Sequence, residues 1–296
     1  MPKKLYFVFN PHSGRAQIKG NLLNIIDTFV KADYEVLVYP TQTKGDATEK
    51  ISKNALDYDL VVASGGDGTL NEAVCGLMSI PKAKRPPLGY IPSGTVNDFA
   101  TSLHIPKNQL EACKNIIKGK EILVDIGKFS KKYFVYVAAF GAFTDVSYQT
   151  NQQFKNMFGY AAYLMEGLKR VGTIKPIKTK INVEDKFIED EFVFGMVSNT
   201  DYVGGFEMVS KDVSLNDGLF EVLLIKMPKN PMELQTAITD LLSRNTQSKM
   251  FVSLKCSKIK IHCQTPISWT VDGEYGGDHK KVEITNKSKA IRIITN

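Results

Sequence analysis

Cysteine is scarce, and the four present (Cys75, Cys113, Cys256 and Cys263) form no Cys-x-x-Cys pair. His262 is the one histidine close to any of them. That pattern argues against a zinc site and against a secreted disulfide framework, and favours a reducing cytoplasm. No run of eighteen uninterrupted apolar residues occurs, so nothing is expected to span a bilayer and any membrane contact would be peripheral. The opening Met1-Pro2-Lys3-Lys4 leads straight into the apolar residues 5–9, a run too short for a signal-peptide core. Internal repeats and low-complexity tracts are missing, and no RNA- or DNA-binding module is visible, so nucleic acid is not an expected partner.

What is there suits an ordinary globular protein. Hydrophobic residues make up 43% and charged residues 23% of 296, enough to bury sizeable cores in two domains. The net charge of +7 is uneven. Residues 1–126 carry 15 Lys/Arg against 13 Asp/Glu, and residues 127–296 carry 23 against 18. Such an excess suits nucleic acid, anionic lipid or a merely solvated lysine face.

Residues 1–126 alternate between two periods. Strand-like runs at 5–9, 34–39, 60–63 and 88–91 are separated by helical spacing at 18–30, 45–56, 70–78, 97–103 and 110–117. Alternation of this kind implies right-handed crossovers and an α/β domain with a mostly parallel, doubly wound sheet. Beyond residue 126 short strands dominate, at 133–140, 178–183, 192–199, 219–225, 251–256, 258–263, 268–272, 281–284 and 290–294. Helical candidates there are few, at 154–171 and 231–243. The expectation is a nucleotide-binding domain over 1–126 and an antiparallel β-sandwich over 127–296, its last strand able to return towards the first domain.

In open α/β sheets, ligands bind at the carboxyl ends of the strands. Three polar, glycine-rich turns fall at such ends: Asn10-Pro11-His12-Ser13-Gly14-Arg15, Ser64-Gly65-Gly66-Asp67-Gly68-Thr69-Leu70-Asn71-Glu72, and Pro92-Ser93-Gly94-Thr95-Val96-Asn97-Asp98-Phe99. Glycines at 65, 66 and 68 let backbone N–H groups approach a phosphate chain, and the next helix points its positive end at the same place. Asp67 among them repels phosphate unless a divalent cation bridges the two. A purely structural glycine turn is the competing reading of that segment taken alone.

The paired Gly65-Gly66-Asp67-Gly68-Thr69 with Asn71-Glu72 and Gly94-Thr95-x-Asn97-Asp98-Phe99 resembles the signature of the diacylglycerol kinase catalytic domain, whose superfamily includes sphingosine and ceramide kinases. Asn10-Pro11-x-Ser13-Gly14, Thr43-x-Gly45-Asp46-Ala47, Asn216-Asp217-Gly218-Leu219 and Val271-Asp272-Gly273-Glu274 fit it as well, over essentially the whole chain. The resemblance is to the bacterial soluble branch, with its NAD-kinase-like first domain. It implies an ATP-dependent lipid kinase with ATP and Mg2+ in the site. Asn10, Thr43, Gly65, Gly66, Gly68, Thr69, Gly94, Thr95 and Asn97 would line the nucleotide site, and Asp67 would organise magnesium. Asp98 and Asp125 would extend that acidic network, with Asp272 as general base for the lipid hydroxyl and Glu274 beside it. Asp217, with the carbonyls of Ser214 and Leu219, matches a second, structural metal site, although an Asn-Asp-Gly turn is equally a hairpin signal. Two departures stand out: Thr101 occupies a position where many relatives are basic, with Arg15 or a second-domain lysine as a substitute, and the chain stops where some relatives continue with a helix.

The acceptor side offers residues 154–171, rich in Phe, Met, Tyr and Leu with Lys155, Lys169 and Arg170 at its ends. They suit an interfacial helix or a core helix of the second domain. Lys249, Lys255, Lys258 and Lys260 suit either anionic headgroups or a solvated strand face. Diacylglycerol or a related glycerolipid is the expected acceptor, met peripherally at the cytoplasmic face of a membrane, and a homodimer is compatible with this reading. The alternatives are a NAD kinase, which shares the Gly-Gly-Asp-Gly-Thr turn, and a non-catalytic nucleotide sensor docked on membranes.

Overall fold

The computed structural model describes residues 2–14, 18–95, 97–141, 176–184, 186–200, 202–203, 206–207, 214–243 and 245–296. The chain forms two compact units, one of residues 1–126 with 288–296 and one of residues 127–287. Arg15, the helical candidate at 154–171 and its flanking Lys155, Lys169 and Arg170 lie outside the described residues.

In the first unit, β1 (Lys3–Phe9), α1 (Ile18–Val30), β2 (Tyr34–Pro40), α2 (Asp46–Asn54), β3 (Leu60–Gly65), α3 (Asp67–Met78) and β4 (Leu88–Pro92) follow one another. Then come α4 (Asp98–Ser102), α5 (Gln109–Lys118) and β5 (Lys120–Phe129), whose last three residues belong to the second unit. β1 pairs in parallel with β2 on one side and β3 on the other, and β3 pairs in parallel with β4. The order β2-β1-β3-β4 reverses direction between β1 and β3, so the crossovers leave to opposite faces. α1 packs against α5, and α2 against α3. β1 from Leu5 onward, β3 and β4 are buried without alternation because both faces are covered. β2 alternates half-buried and exposed residues, as the outermost strand should.

The second unit holds β6 (Lys132–Phe134), β7 (Val137–Gly141), β8 (Ile177–Val183), β9 (Lys186–Ser198), the short pair β10 (Tyr202–Val203) and β11 (Phe206–Glu207), and β12 (Phe220–Lys226). It continues with α6 (Pro231–Leu242), β13 (Phe251–Cys256), β14 (Lys258–Val271) and β15 (Glu274–Thr295), whose end belongs to the first unit and pairs in parallel with β4 at Ile293 and Leu88. Pairing within the second unit is antiparallel. β9 and β14 are long, and β8 and β7 occupy successive stretches of the slot between them. That arrangement wraps strands around a core of Phe134, Phe140, Phe192, Phe220 and Trp269. α6 starts at Pro231 behind an Asn230 cap, whose side chain accepts from Glu233 N at 2.9 Å while Glu233 accepts from Lys229 N at 2.8 Å.

Two expectations are corrected here. The strands expected at 258–263 and 268–272 are one strand, β14, in which residues 263–266 form an irregularity opposite Lys280. The runs at 281–284 and 290–294 are likewise parts of β15. The lysines at 255, 258 and 260 carry acids beside them in space: Lys255 pairs with Glu221 at 2.8 Å, and Lys258 and Lys260 share Glu283 at 3.2 and 3.6 Å. Neighbouring strands supply those carboxylates, so these three lysines face two acids and the stripe keeps a reduced positive charge.

Candidate active site

The three turns singled out in the sequence stand at the carboxyl ends of β1, β3 and β4, around the β1/β3 position where the sheet order reverses. Open α/β sheets bind ligands at that position. Asn10 directly follows β1, and its N–H donates to the Ser64 carbonyl at 2.9 Å. The turn after it closes on itself, with Asn10 Oδ1 accepting from His12 N at 2.9 Å and the Asn10 carbonyl accepting from Ser13 N at 3.3 Å. Gly14 has φ 48°, and a Cβ there would run into the Ser93 carbonyl. The first and third loops therefore meet backbone to backbone, which only glycine permits.

The second and third loops meet in the same way. Ser93 N donates to the Gly65 carbonyl at 2.8 Å, and a Cβ on Gly94 would stand 2.5 Å from Gly66 Cα. Asn97, at φ 57°, folds the third loop: its Oδ1 accepts from Gly94 N at 3.0 Å and its Nδ2 donates to the Gly94 carbonyl at 2.8 Å. Its own N–H donates to Asp67 Oδ2 at 3.1 Å. Asp67 is the first residue of α3, where a carboxylate complements the helix dipole, and the Gly66 N-cap makes no side-chain cap bond.

The strut beneath these loops comes from a residue outside the three turns. Tyr90, on β4, is fully buried, with its hydroxyl 3.0 Å from the Gly65 carbonyl and 3.4 Å from Asn97 Oδ1. Burial, with the nearby Asp67 charge, holds this phenol well above its ordinary pKa, so it remains a donor at neutral pH. The available signal was a tyrosine in a strand buried on both faces, whose hydroxyl must find a partner.

The other residues expected at the nucleotide site lie at several places in the first unit. Thr69 is buried in the first turn of α3, against Gly65; Gly68 and Thr95 are exposed. Thr43 lies in an exposed turn, its carbonyl accepting from Asp46 N at 3.3 Å. Asp98 follows Asn97 and is buried at the start of α4. Asp125 is buried in β5, its Oδ1 accepting from Lys289 N at 2.6 Å.

In the second unit, Asp272 and Gly273 form the two-residue turn between β14 and β15, with φ 48° and 80°, and Val271 faces Glu274 across it. Asp-Gly suits such a turn because both residues tolerate positive φ. The Asp272 side chain is buried and accepts three backbone N–H groups: Val135 on Oδ2 at 2.6 Å, and Tyr136 and Val137 on Oδ1, each at 3.0 Å. Glu274 opens β15 and is exposed. Asp217 Oδ1 accepts from Leu219 N at 2.9 Å, Ser214 Oγ donates to Asn216 at 3.0 Å, and the Leu219 carbonyl accepts from Asn286 Nδ2 at 3.2 Å.

Residues 4–129 match the family model of the diacylglycerol kinase catalytic domain, and residues 137–295 match that of the YegS C-terminal NAD kinase beta sandwich-like domain. A diacylglycerol kinase of Bacillus subtilis (strain 168) is 35% identical over 277 residues, 93% of this chain and 91% of its own length. The chain belongs to the diacylglycerol kinase family. Another member, a diacylglycerol kinase of Staphylococcus epidermidis (strain RP62A), is 38% identical over 94% of this chain and 87% of its own length. A crystal structure of a candidate diacylglycerol kinase from Bacillus anthracis str. Sterne matches with a TM-score of 0.83 at 28% identity, covering 100% of this chain and 96% of that one. Family membership thus spans both units, the α/β unit with the glycine turns and the β-sandwich-like unit with Asp272.

Proposed function

We propose that the protein is an ATP-dependent lipid kinase that transfers the γ-phosphoryl group of ATP to the hydroxyl of diacylglycerol or a related glycerolipid. The carrying observation is the backbone-to-backbone meeting of the loops after β1, β3 and β4 at the switch point, in a chain of this family. Asn10, Thr43, Gly65, Gly66, Gly68, Thr69, Gly94, Thr95 and Asn97 bind the nucleotide, and the N-terminus of α3 faces its phosphates. Phosphoryl transfer demands little covalent work, so positioning and charge neutralisation carry the rate.

In the transfer, the lipid oxygen bonds to the γ-phosphorus, the bond to the β–γ bridging oxygen breaks, and ADP leaves. The hydroxyl proton passes to Asp272, whose carboxylate the amides of residues 135–137 hold in one orientation, with Glu274 beside it in sequence. Asp98 and Asp125 support the acidic network around Asp67. Among the described residues no three His, Cys, Asp or Glu side chains cluster as a metal cage. Magnesium at a nucleotide is held through one or two carboxylates plus substrate phosphates and water. Asp67 would hold it, and it would neutralise phosphate charge. At residues 214–219, Asp217 Oδ1 accepts from Leu219 N in an Asx turn and the Leu219 carbonyl accepts from Asn286 Nδ2, and Asp217 with the carbonyls of Ser214 and Leu219 would hold the structural metal.

A membrane-resident acceptor calls for peripheral contact at the cytoplasmic face. No helix among the described residues is long and apolar enough to cross a membrane. A homodimer belongs to the same reading and is checked by sedimentation. The decisive assay supplies purified protein with labelled ATP, magnesium and either diacylglycerol or phosphatidylglycerol in mixed micelles. Label in the lipid is the expected outcome. Label in NAD, offered as a rival acceptor, would replace this reading with that of a NAD kinase; ATP binding without transfer to any lipid would replace it with a nucleotide sensor.

A further inference from the structure

Two helices of the first unit begin beside the candidate nucleotide site, α2 just after Thr43 and α3 just after Gly66. Their N-termini are not equivalent. α2 has a Gly45 N-cap at φ 87° with no side chain to cap it, yet its first amides are not left to solvent. Glu72, one turn into α3, reaches across: its Oε1 accepts from Gly45 N at 2.7 Å and its Oε2 from Ala47 N at 3.3 Å. A carboxylate spread over two N–H groups at the positive end of a helix is the arrangement by which such a terminus takes a phosphate.

We propose that Glu72 is a positioning residue for the nucleotide. By occupying the amides of α2 it denies that terminus to phosphate and leaves the Gly66 turn at α3 as the seat. By the same bonds it ties the Thr43–Ala47 turn to the helix that carries Asp67 and Thr69. The inference rests on the nucleotide-site reading above and adds to it a residue with no contact to the nucleotide. A second link between the two helices runs through Thr48 Oγ1, which donates to the Glu72 carbonyl at 2.9 Å. That link is structural and does not touch Gly45, which makes it the matched control.

The test compares Glu72→Gln with Thr48→Val in the full chain. Glutamine offers one acceptor and turns a donor towards the other amide, so the clamp is broken without losing volume. Expected for Glu72→Gln is a rise of about tenfold in both the KM and the Kd for ATP, the scale of a lost hydrogen bond to a charged group. Its kcat and its KM for diacylglycerol should stay within about twofold. Thr48→Val should lower Tm and leave the Kd for ATP unchanged. Wild-type ATP affinity in Glu72→Gln overturns the proposal, as does an affinity loss in both variants that merely tracks their Tm. Should Glu72→Gln not fold, Glu72→Asp, which keeps the charge and shortens the reach, is read against the same two outcomes. Gly66→Ala separates the layers: if it weakens ATP binding and Glu72→Gln does not, the role of Glu72 alone fails. If Gly66→Ala binds ATP normally, the nucleotide-site reading falls and takes this proposal with it.

Discussion

The N–H of Asn97 donates to the carboxylate of Asp67 at 3.1 Å, and the two residues come from different crossovers of the sheet. The bond orients the acid without neutralising it. It also makes the two glycine loops one mechanical object, since Asn97 simultaneously brackets Gly94 through both ends of its amide.

Gly94→Ala should damage the site more than its volume suggests. A methyl group there meets Gly66 Cα at 2.5 Å and Asn97 Oδ1 at 2.8 Å, so the loops must part. A stability loss of about 1–3 kcal/mol is expected by denaturant titration, the scale of overpacking, together with weakened ATP binding by calorimetry. Wild-type ATP affinity would show that the contact between the loops does not shape the site.

Tyr90→Phe removes the hydroxyl under both loops while keeping the ring. Both oxygens it faces also accept backbone N–H groups, Gly65 O from Ser93 and Asn97 Oδ1 from Gly94, so neither is stranded. A cost of about 1 kcal/mol in unfolding free energy is expected. KM for ATP should rise with kcat little changed.

Asp272→Asn should separate chemistry from binding. Asparagine tolerates the positive φ of the turn. It presents an NH2 group to the amides of residues 135–137, so a lower Tm is expected as well. Turnover should fall by about 10²–10⁴, the range of a lost general base, with the Kd for ATP unchanged. Residual kcat near wild type would remove Asp272 from the proton transfer.

Thiol reactivity should report burial. Burial pushes the Cys113 and Cys256 thiols up to about 12 and raises that of Cys263 above its usual value. Cys75 is partly accessible. Iodoacetamide at pH 8 should therefore alkylate Cys75 in the native protein, and the other three only after denaturation, as read by intact-mass spectrometry. Rapid native labelling of Cys256 would contradict the core arrangement of the second unit.

Much of this molecule is local, and local features are readable from residue order. The β1 and β3 runs are continuous apolar stretches because a central parallel strand has no solvent face, and the glycine turns at 65–68 and 94 announce backbone close approach by residue type alone. The Asp272-Gly273 turn is as local: two residues that tolerate positive φ suffice for a hairpin. Partnership across the chain is different in kind. Residue order places Tyr90 in a strand but cannot say that its hydroxyl meets Gly65, and it places Glu72 on a helix without showing that its carboxylate meets Gly45. The lysines at 255, 258 and 260 look unpaired along the chain, because Glu221 and Glu283 arrive from neighbouring strands. The 263–266 irregularity splits β14 into two apparent strands, because Pro266 and the polar residues before it break the alternation while β15 runs on beside them. Periodicity records which side of an element is buried; which atom waits there is set by strands and helices far away in sequence, and only folding brings them into reach.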